Sequence, residues 1–306
     1  MAAGPENADD VLTLALRAGP PGAALANAER RLLARRAGPP DVAAAIREAL
    51  AAATGTDDAE DPAAATALAI AEAVERHGAA FPAGAEPAYH DRHHQAEATI
   101  AMGWLAGAAR RLGLLGAEEA AVAVAAMAAH DLLHDGKVHA ERGLLERRSA
   151  DTAAAIAERC GMDPADVAEM RRIILATTWP WEDGEAPDLA CRLAREADLF
   201  GSSLPALGPQ LGRLLAVELA MAGQPAPEDV ASHAARLALL RMQPPPTPPA
   251  RCLGLDAVRA AQVAAYGEAA RRLGIDPPTP EAGAAALDGM DLADAEALLA
   301  WSRAAP

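Results

Sequence analysis

Aromatic residues are scarce in this chain of 306 residues, where they make up 3% of the composition. Strands are typically rich in aromatic and β-branched side chains, whereas alanine dominates the 52% of hydrophobic residues here. The apolar runs also lack the alternation of a half-buried strand. These shortages argue against a β-rich fold and predict an all-α protein.

Cysteines are equally few: Cys160, Cys191 and Cys252 lie far apart in the sequence, and there is no Cys-x-x-Cys pair. An odd number at wide spacing argues against a disulfide framework and for a reducing compartment. The opening residues lack the basic start and apolar core of a signal peptide, and no apolar run approaches the ~20 residues that span a bilayer. We therefore expect a cytoplasmic protein without a membrane partner.

Positive charge is in short supply, because 27 Lys and Arg stand against 43 Asp and Glu, giving a formal net charge of −16. A groove for a nucleic-acid polymer needs an excess of basic side chains to neutralise phosphates, so this class of partner is excluded. A small anionic substrate stays compatible with the composition, because bound divalent cations can supply a positive field locally.

Clusters of proline and glycine divide the chain into three predicted parts. Residues 1–80 are interpreted as an Ala-rich helical extension that packs on the main domain or supports a homo-oligomer. Residues 81–243 form the core, and residues 250–306 form C-terminal helices that follow a stiff proline-rich linker and pack on the core. Helices are predicted at 8–18, 25–37, 40–53, 62–78, 90–112, 117–134, 142–160, 164–178, 187–201, 204–222, 227–242 and 252–273, with one or two short ones after 277.

The stretch from 128 to 136 carries four ligand-type side chains at the end of an apolar segment. Residues 120–129, AAVAVAAMAA, predict a helix buried on nearly all sides, so His130 and Asp131 should emerge inside the protein. Buried ionisable groups need partners, and a metal ion takes imidazole nitrogen and carboxylate oxygen together. In a helix continuing to 134, His130 and His134 share one face.

Two further clusters strengthen the metal interpretation. His90, His93 and His94 account for three of the eight histidines, and a helix beginning at 90 places His90 and His94 on one face. Downstream, Asp198 stands beside a short apolar Leu-Phe pair, where a solvated carboxylate is unexpected. A single His-Asp pair is more often a helix cap or a surface ion pair, whereas three such clusters favour a metal site.

The clusters occur in the order and approximate spacing of the motifs of a known family. The matching segments are Tyr89-His90-Asp91-x-x-His94, His130-Asp131-x-x-His134-x-Gly136, Leu145-Glu146, Ile174-Leu175-Ala176-Thr177 and Ala197-Asp198-Leu199. Together they resemble the HD-domain metal-dependent phosphohydrolases, and most closely the catalytic domain of the cyclic-nucleotide phosphodiesterases. The resemblance covers residues 86–223 and implies an HD-domain, phosphodiesterase-like helical bundle carrying an additional N-terminal extension.

The resemblance also implies a ligand set and two divalent metal ions. The metal ligands implied by the resemblance are His94, His130, Asp131 and Asp198, with Asp131 bridging the two ions. A shell of two nitrogens and two oxygens suits Zn, Fe, Mn or Ni at the protein-ligated position. The second position is held mostly by water, which suits Mg or Mn.

In the family, a hydroxide between the two metals attacks phosphorus, and a histidine protonates the leaving group. The resemblance gives the acid role to His90, and it makes His134 and Glu146 groups that orient water and His90. The implied activity is that of a phosphohydrolase acting on a phosphoester or phosphodiester of a small, anionic nucleotide.

Some positions depart from the family pattern. Asp91 replaces an asparagine, Arg147 and Arg148 replace a histidine pair, and no phenylalanine stands where a purine clamp is expected. An HD-type di-iron oxygenase is therefore an alternative, with His139 as a candidate further ligand. A degenerate HD module that binds metal or nucleotide without turnover is another.

Overall fold

The computed structural model describes residues 11–16, 22–56, 60–181 and 187–304. Within these ranges the chain forms 15 α-helices and two short 3-10 helices, and it contains no strand. The prediction of an all-α protein is confirmed.

The helices follow the predicted order, with the bounds below. In the first half they are α1 (Val11–Leu16), α2 (Ala23–Arg36), α3 (Val42–Thr54), α4 (Pro62–Ala79), α5 (Arg92–Arg111), α6 (Ala117–Ala129), α7 (Leu144–Arg159) and α8 (Pro164–Leu175). In the second half they are α9 (Leu189–Asp198), α10 (Leu207–Met221), α11 (His233–Met242), α12 (Pro248–Leu253), α13 (Leu255–Arg272), α14 (Pro280–Asp288) and α15 (Leu292–Ala304). The ends of the predicted helix 8–18 lie outside the described residues.

Helix α5 lies at the centre of the fold. Every residue from 94 to 109 is buried, on all sides of the helix. Close packing against α3 depends on glycine: a Cβ at Gly103 would lie 2.5 Å from Cα of Ala49, and one at Gly107 would lie 2.3 Å from the carbonyl oxygen of Ala52. Helix α6 packs beside α5 and is buried throughout 120–129, as the apolar run predicted.

The N-terminal helices share this core. Val11, Leu25, Ile46 and Ile70, one from each of α1 to α4, belong to the same buried cluster as Trp104 of α5. The apolar faces of all four helices are therefore covered within one chain. The proposed domain boundaries at 80 and 250 remain predictions.

The proline-rich stretch differs from the predicted linker. Thr247 is buried and caps a short helix, α12, by accepting a hydrogen bond from the backbone N–H of Ala250. Pro248 fits the first helical position, where its missing N–H costs nothing. The predicted helix 252–273 is present as α13, but it begins at Leu255 because Gly254 with φ +95° separates it from α12.

Two helix ends near the histidines also differ from prediction. Helix α5 begins at Arg92 because the Asp91 carboxylate accepts the N–H of His94 at 2.9 Å and acts as the N-cap. Helix α6 ends at Ala129, and turns follow, with the N–H of His134 bonded to the carbonyl of Asp131 at 3.0 Å. His90 and His134 therefore lie outside helices, and both predicted shared faces are wrong.

A smaller apolar cluster joins α11, α13, α14 and α15 through Leu237, Tyr266, Leu287 and Leu299. The tail thus contains two helices, as predicted. Among the described residues, none of the helices combines the length and apolar character that a bilayer-spanning segment requires. The three cysteines are free thiols.

Candidate metal centre and adjoining cavity

The four predicted ligands meet at one point between α5, α6 and α9. Nε2 of His94 lies 3.4 Å from Oδ2 of Asp131 and 3.3 Å from Oδ1 of Asp198. Nε2 of His130 lies 3.1 Å and 3.6 Å from the same two oxygens. The two Nε2 atoms are 3.3 Å apart. Two imidazole nitrogens and two carboxylates thus converge on one small volume.

The helix ends and a backbone hydrogen bond orient these side chains toward one another. His94 lies in the first turn of α5, directly after the Asp91 cap, and Asp198 is the last residue of α9. His130 follows the last residue of α6, and its Nδ1–H donates to the carbonyl oxygen of Met127 at 2.8 Å. That hydrogen bond fixes the tautomer and leaves the Nε2 lone pair facing the cluster, as a metal-ligating histidine requires.

The cluster attracts positive charge. Burial opposes the charged form of His94, but hydrogen bonds to Asp131 and Asp198 outweigh it and raise the pKa of this imidazole to about 9. Burial would raise the pKa of Asp198, but hydrogen bonds from His130 and His94 hold it at about 2. Two nearly buried carboxylates favour either protons or a metal cation on the imidazole pair, so the donor set fits a divalent ion.

A second group of ligand-type side chains lies beside the first. Nδ1 of His90 is 2.6 Å from Oε1 of Glu218, and Nδ1 of His134 is 4.0 Å from the same oxygen. The rings of His90 and His134 are stacked, with centroids 3.7 Å apart. Two sets of three are each compact enough to hold one metal ion: His94, His130 and Asp198 in the first group, and His90, His134 and Glu218 in the second.

Glu218 was not singled out in the sequence, although it holds the segment before α5. Its Oε2 accepts the N–H groups of Tyr89 and His90 at 2.8 and 3.0 Å. It is buried in α10, at 4% exposure. The available signal was its isolation: Glu218 is the one charged residue between 214 and 222.

His134 is neutral near pH 7, because burial and then the charge of His90 lower its pKa to about 4. Its Nδ1 accepts the N–H of Gly136 at 3.2 Å. Its carbonyl oxygen lies 2.9 Å from Nε2 of His77, a contact that ties the turn to α4. His134 is therefore a rigid, neutral imidazole stacked on His90.

Two remaining candidates lie at the wall of a cavity next to these groups. Glu146, in the first turn of α7, is half-buried, and burial, aided by the charge of Asp131, raises its pKa. His139 is held by Asp135, with Nε2 3.0 Å from Oδ1. Among the described residues, His139 joins neither ligand group.

The cavity has a volume of about 1020 Å³ and is lined by His90, His134, Glu146 and Asp198 at one end. It extends from there between α10, α11 and α15. Trp179 lines it, whereas Trp181 packs under the guanidinium of Arg195, 5.2 Å from the ring centroid.

Comparisons with family models, with curated proteins and with solved structures find no match for this chain. The resemblance therefore rests on the motif residues and on their arrangement.

Proposed function

We propose that this chain is an HD-type, metal-dependent phosphohydrolase that cleaves a phosphoester or phosphodiester bond of a small anionic molecule. The observation that carries the proposal is the convergence of His94, His130, Asp131 and Asp198, which come from three separate motifs. A structural ion pair would need only one histidine and one carboxylate. Paired imidazoles with facing nitrogens, 3.3 Å apart, are better explained by a shared cation.

These four side chains would hold the protein-ligated ion, of the Zn, Fe, Mn or Ni type. The family resemblance adds a second, water-rich ion of the Mg or Mn type and gives Asp131 the bridging role. When bound, such ions neutralise charge on phosphoryl oxygens and activate water for attack on phosphorus.

His90 has the position of a general acid. The Glu218 carboxylate accepts Nδ1–H, which leaves Nε2 as the nitrogen that can give a proton to a departing alkoxide at the cavity wall. A buried carboxylate behind an imidazole stabilises its protonated form and fixes its orientation. His134, stacked on the same ring, restricts His90 to that orientation.

The proposal is tested by metal analysis of the purified protein, followed by hydrolysis assays with Mn²⁺ or Mg²⁺ added. The panel contains cyclic nucleotides, nucleoside mono- and triphosphates and nitrophenyl phosphodiesters. We expect bound transition metal and hydrolysis that is abolished by chelation and by His130→Ala. The matched control is His139→Ala, which removes a cavity histidine outside both ligand groups. A metal-bearing protein that hydrolyses none of the panel contradicts the proposal.

A second candidate is favoured by the His90, His134 and Glu218 group. Further histidines beside a His-Asp centre are the feature that resembles HD-type di-iron oxygenases. If His90 is a ligand, it cannot serve as the acid. Iron in both positions, with oxygen uptake in place of phosphate-ester hydrolysis, would support this function.

A further inference from the structure

The cavity beside the metal centre changes character along its length. His90, His134 and Asp198 line it beside the metal centre. Where α10, α11 and α15 form the wall, aliphatic side chains such as Leu211, Leu215, Leu239 and Leu299 stand beside the charged side chains of Arg213, Arg236 and Glu296. A polar reacting group and a hydrocarbon part would therefore meet different surfaces.

The rim of the cavity exposes large hydrophobic side chains. Val138 is 58% exposed, Trp179 43%, Met242 55% and Leu292 54%, and all four line the cavity. Contiguous exposed apolar surface on a folded chain usually marks a binding site. Four such side chains in the lining of one cavity point to a ligand that is itself apolar in part.

The basic residues of the aliphatic part are engaged within the protein. Arg236 donates to the carbonyl oxygen of Leu204 and to the amide oxygen of Gln262, at 2.7 and 2.6 Å. The guanidinium of Arg213 lies 3.9 Å from the carboxylate of Glu296. The guanidinium of Arg236 is thus occupied by neutral acceptors of the protein, and that of Arg213 faces a carboxylate, so neither marks a site for a second phosphate.

Flat aromatic surfaces for a nucleobase are few in the described wall. The ring of Tyr89 is buried against His94, at 4.8 Å between centroids, and that of Tyr266 packs on His233 at 5.9 Å. Trp179 offers one face but has no aromatic partner across the cavity, since its neighbour Trp181 contacts it edge-on at 4.9 Å. Trp179 could therefore stack a base from one side only, whereas the aliphatic side chains of the wall offer contact to an alkyl chain along its length.

We infer that the substrate is an amphiphilic phosphoester whose anionic phosphate lies at the two histidine groups and whose hydrocarbon chain fills the aliphatic part of the cavity. This inference rests on the proposed function and narrows its substrate class. In the reaction, the water oxygen forms a bond to phosphorus and loses a proton, the P–O bond to the leaving alcohol breaks, and His90 gives its proton to that alcohol. The proton released from the water restores His90. No oxidant or other co-reactant is required.

Binding is measured separately from turnover. The metal-loaded protein is titrated calorimetrically with butyl, octyl and decyl phosphonate, whose C–P bond is not hydrolysed, each kept monomeric, and with the phosphonate analogue of adenosine monophosphate. A buried methylene contributes roughly fourfold in affinity, so the dissociation constant should fall at least about 100-fold from butyl to decyl. The nucleotide analogue should bind more weakly than decyl phosphonate. A dissociation constant independent of chain length, or tighter binding of the nucleotide analogue, overturns the inference.

Substitutions in the cavity wall test where the hydrocarbon chain of the ligand binds. Leu239→Glu, at a half-buried position, and Met242→Glu, at an exposed one, should each reduce the chain-length effect at least tenfold. The matched control is Leu273→Glu, which is 41% exposed and lies outside the cavity, and it should keep the effect in full. Melting temperatures identify a variant that fails to fold. If Leu239→Glu does not fold, the result with Met242→Glu, at the more exposed position, decides whether the chain binds here. Loss of the effect in Leu273→Glu alone contradicts the placement.

Hydrolysis of 4-nitrophenyl methyl and 4-nitrophenyl decyl phosphate distinguishes failure of the inferred substrate class from failure of the proposed phosphohydrolase activity. Faster turnover of the decyl ester supports both. Equal turnover of the two esters overturns the substrate class and leaves the phosphohydrolase intact. Chain-dependent binding without any turnover supports the apolar site and contradicts the phosphohydrolase.

Discussion

Nδ1 of His90 lies 2.6 Å from Oε1 of Glu218, a residue 128 positions further along the chain. The second carboxylate oxygen accepts two backbone N–H groups of the segment before α5. Burial would raise the pKa of Glu218, but the hydrogen bonds and charge of His90 hold it at about 2. One buried carboxylate thus sets both the course of the backbone and the orientation of His90.

Glu218→Gln tests this relationship. An amide keeps the shape but removes the charge that stabilises a protonated His90. We expect kcat to fall by about 10²-fold with a leaving group that needs a proton, and much less with 4-nitrophenolate. Metal content should not change. As a control, Glu228→Gln alters an exposed acid in the 3-10 helix Pro227–Ala231. Loss of metal from Glu218→Gln would instead make Glu218 a ligand, as the second candidate function requires.

Glu218 also predicts a pH dependence of stability. Its pKa is about 2 in the folded chain and about 4.3 in an unfolded one. A lowered folded-state pKa contributes stability above the unfolded value, and that contribution is lost as the pH falls through the folded value. Because the Glu218 side chain is only 5% exposed, the difference between the two pKa values corresponds to roughly 3 kcal/mol in the free energy of unfolding. The difference in unfolding free energy between wild type and Glu218→Gln should therefore shrink from pH 5 to pH 2. A constant difference contradicts it.

His90→Ala separates chemistry from metal binding. His90 lies outside the first ligand group, so metal content at that group should persist while kcat falls by about 10²–10⁴-fold, as expected for a lost general acid. Esters of 4-nitrophenol should be less affected, because their leaving group needs little protonation. The control, His93→Ala, changes a histidine of the same motif that belongs to neither group. Equal losses on both kinds of ester would reject the acid role.

Asp131→Asn discriminates a two-metal hydrolase from a one-metal binding module. A bridging carboxylate is the main direct protein ligand of the second ion, so occupancy should drop from two ions per chain to one or fewer, and turnover by several orders of magnitude. Asp135→Asn, four residues on and paired with His139, is the matched control. Metal stoichiometry is measured by mass spectrometry beside the melting temperature. A variant that keeps both ions and a tenth of the turnover shows that Asp131 does not bridge.

The sequence predicts the parts of this centre that depend on neighbouring residues. It does not predict the parts that depend on contacts between distant segments. His94, His130 and Asp131 were identifiable because each interrupts or adjoins an apolar run, which is a local signal. Glu218 reaches His90 from α10, and no local pattern reports a contact made 128 residues away. The helix ends at Asp91 and Ala129 were also missed. Asp91 is a good N-cap by residue type, although the predicted helix began at residue 90.

The same difference between local and long-range interactions applies to the prediction of the fold. Alanine content and apolar periodicity predicted the order of the helices and all of them except the short α12, because helix formation is largely local. Whether the first 80 residues form an independent extension could not be read from the sequence, since the answer depends on which faces meet. Thr247 and the prolines after it provide a further example: composition predicted a linker, whereas the buried cap begins α12.

The contact between α3 and α5 offers a test of whether the N-terminal helices are integral to the fold. A Cβ at Gly103 would meet backbone atoms of Ala49 at 2.5 and 2.6 Å, and backbone cannot rotate away as a side chain can. Gly103→Ala should therefore push α3 from α5. We expect a loss of about 1–3 kcal/mol in the free energy of unfolding, as for an overpacked core, even though alanine is the better helix former by about 1 kcal/mol.

Gly38→Ala is the matched control, because its added Cβ would meet its nearest neighbour, the carbonyl oxygen of Arg35, at an ordinary 3.6 Å. Urea denaturation of both variants gives the comparison. The position of α5 also fixes His94, so Gly103→Ala should weaken metal binding, although Gly103 lies more than two helical turns from that ligand. If Gly103→Ala is as stable as Gly38→Ala and binds metal normally, α3 is a loosely attached element, and the N-terminal helices are not integral to the fold.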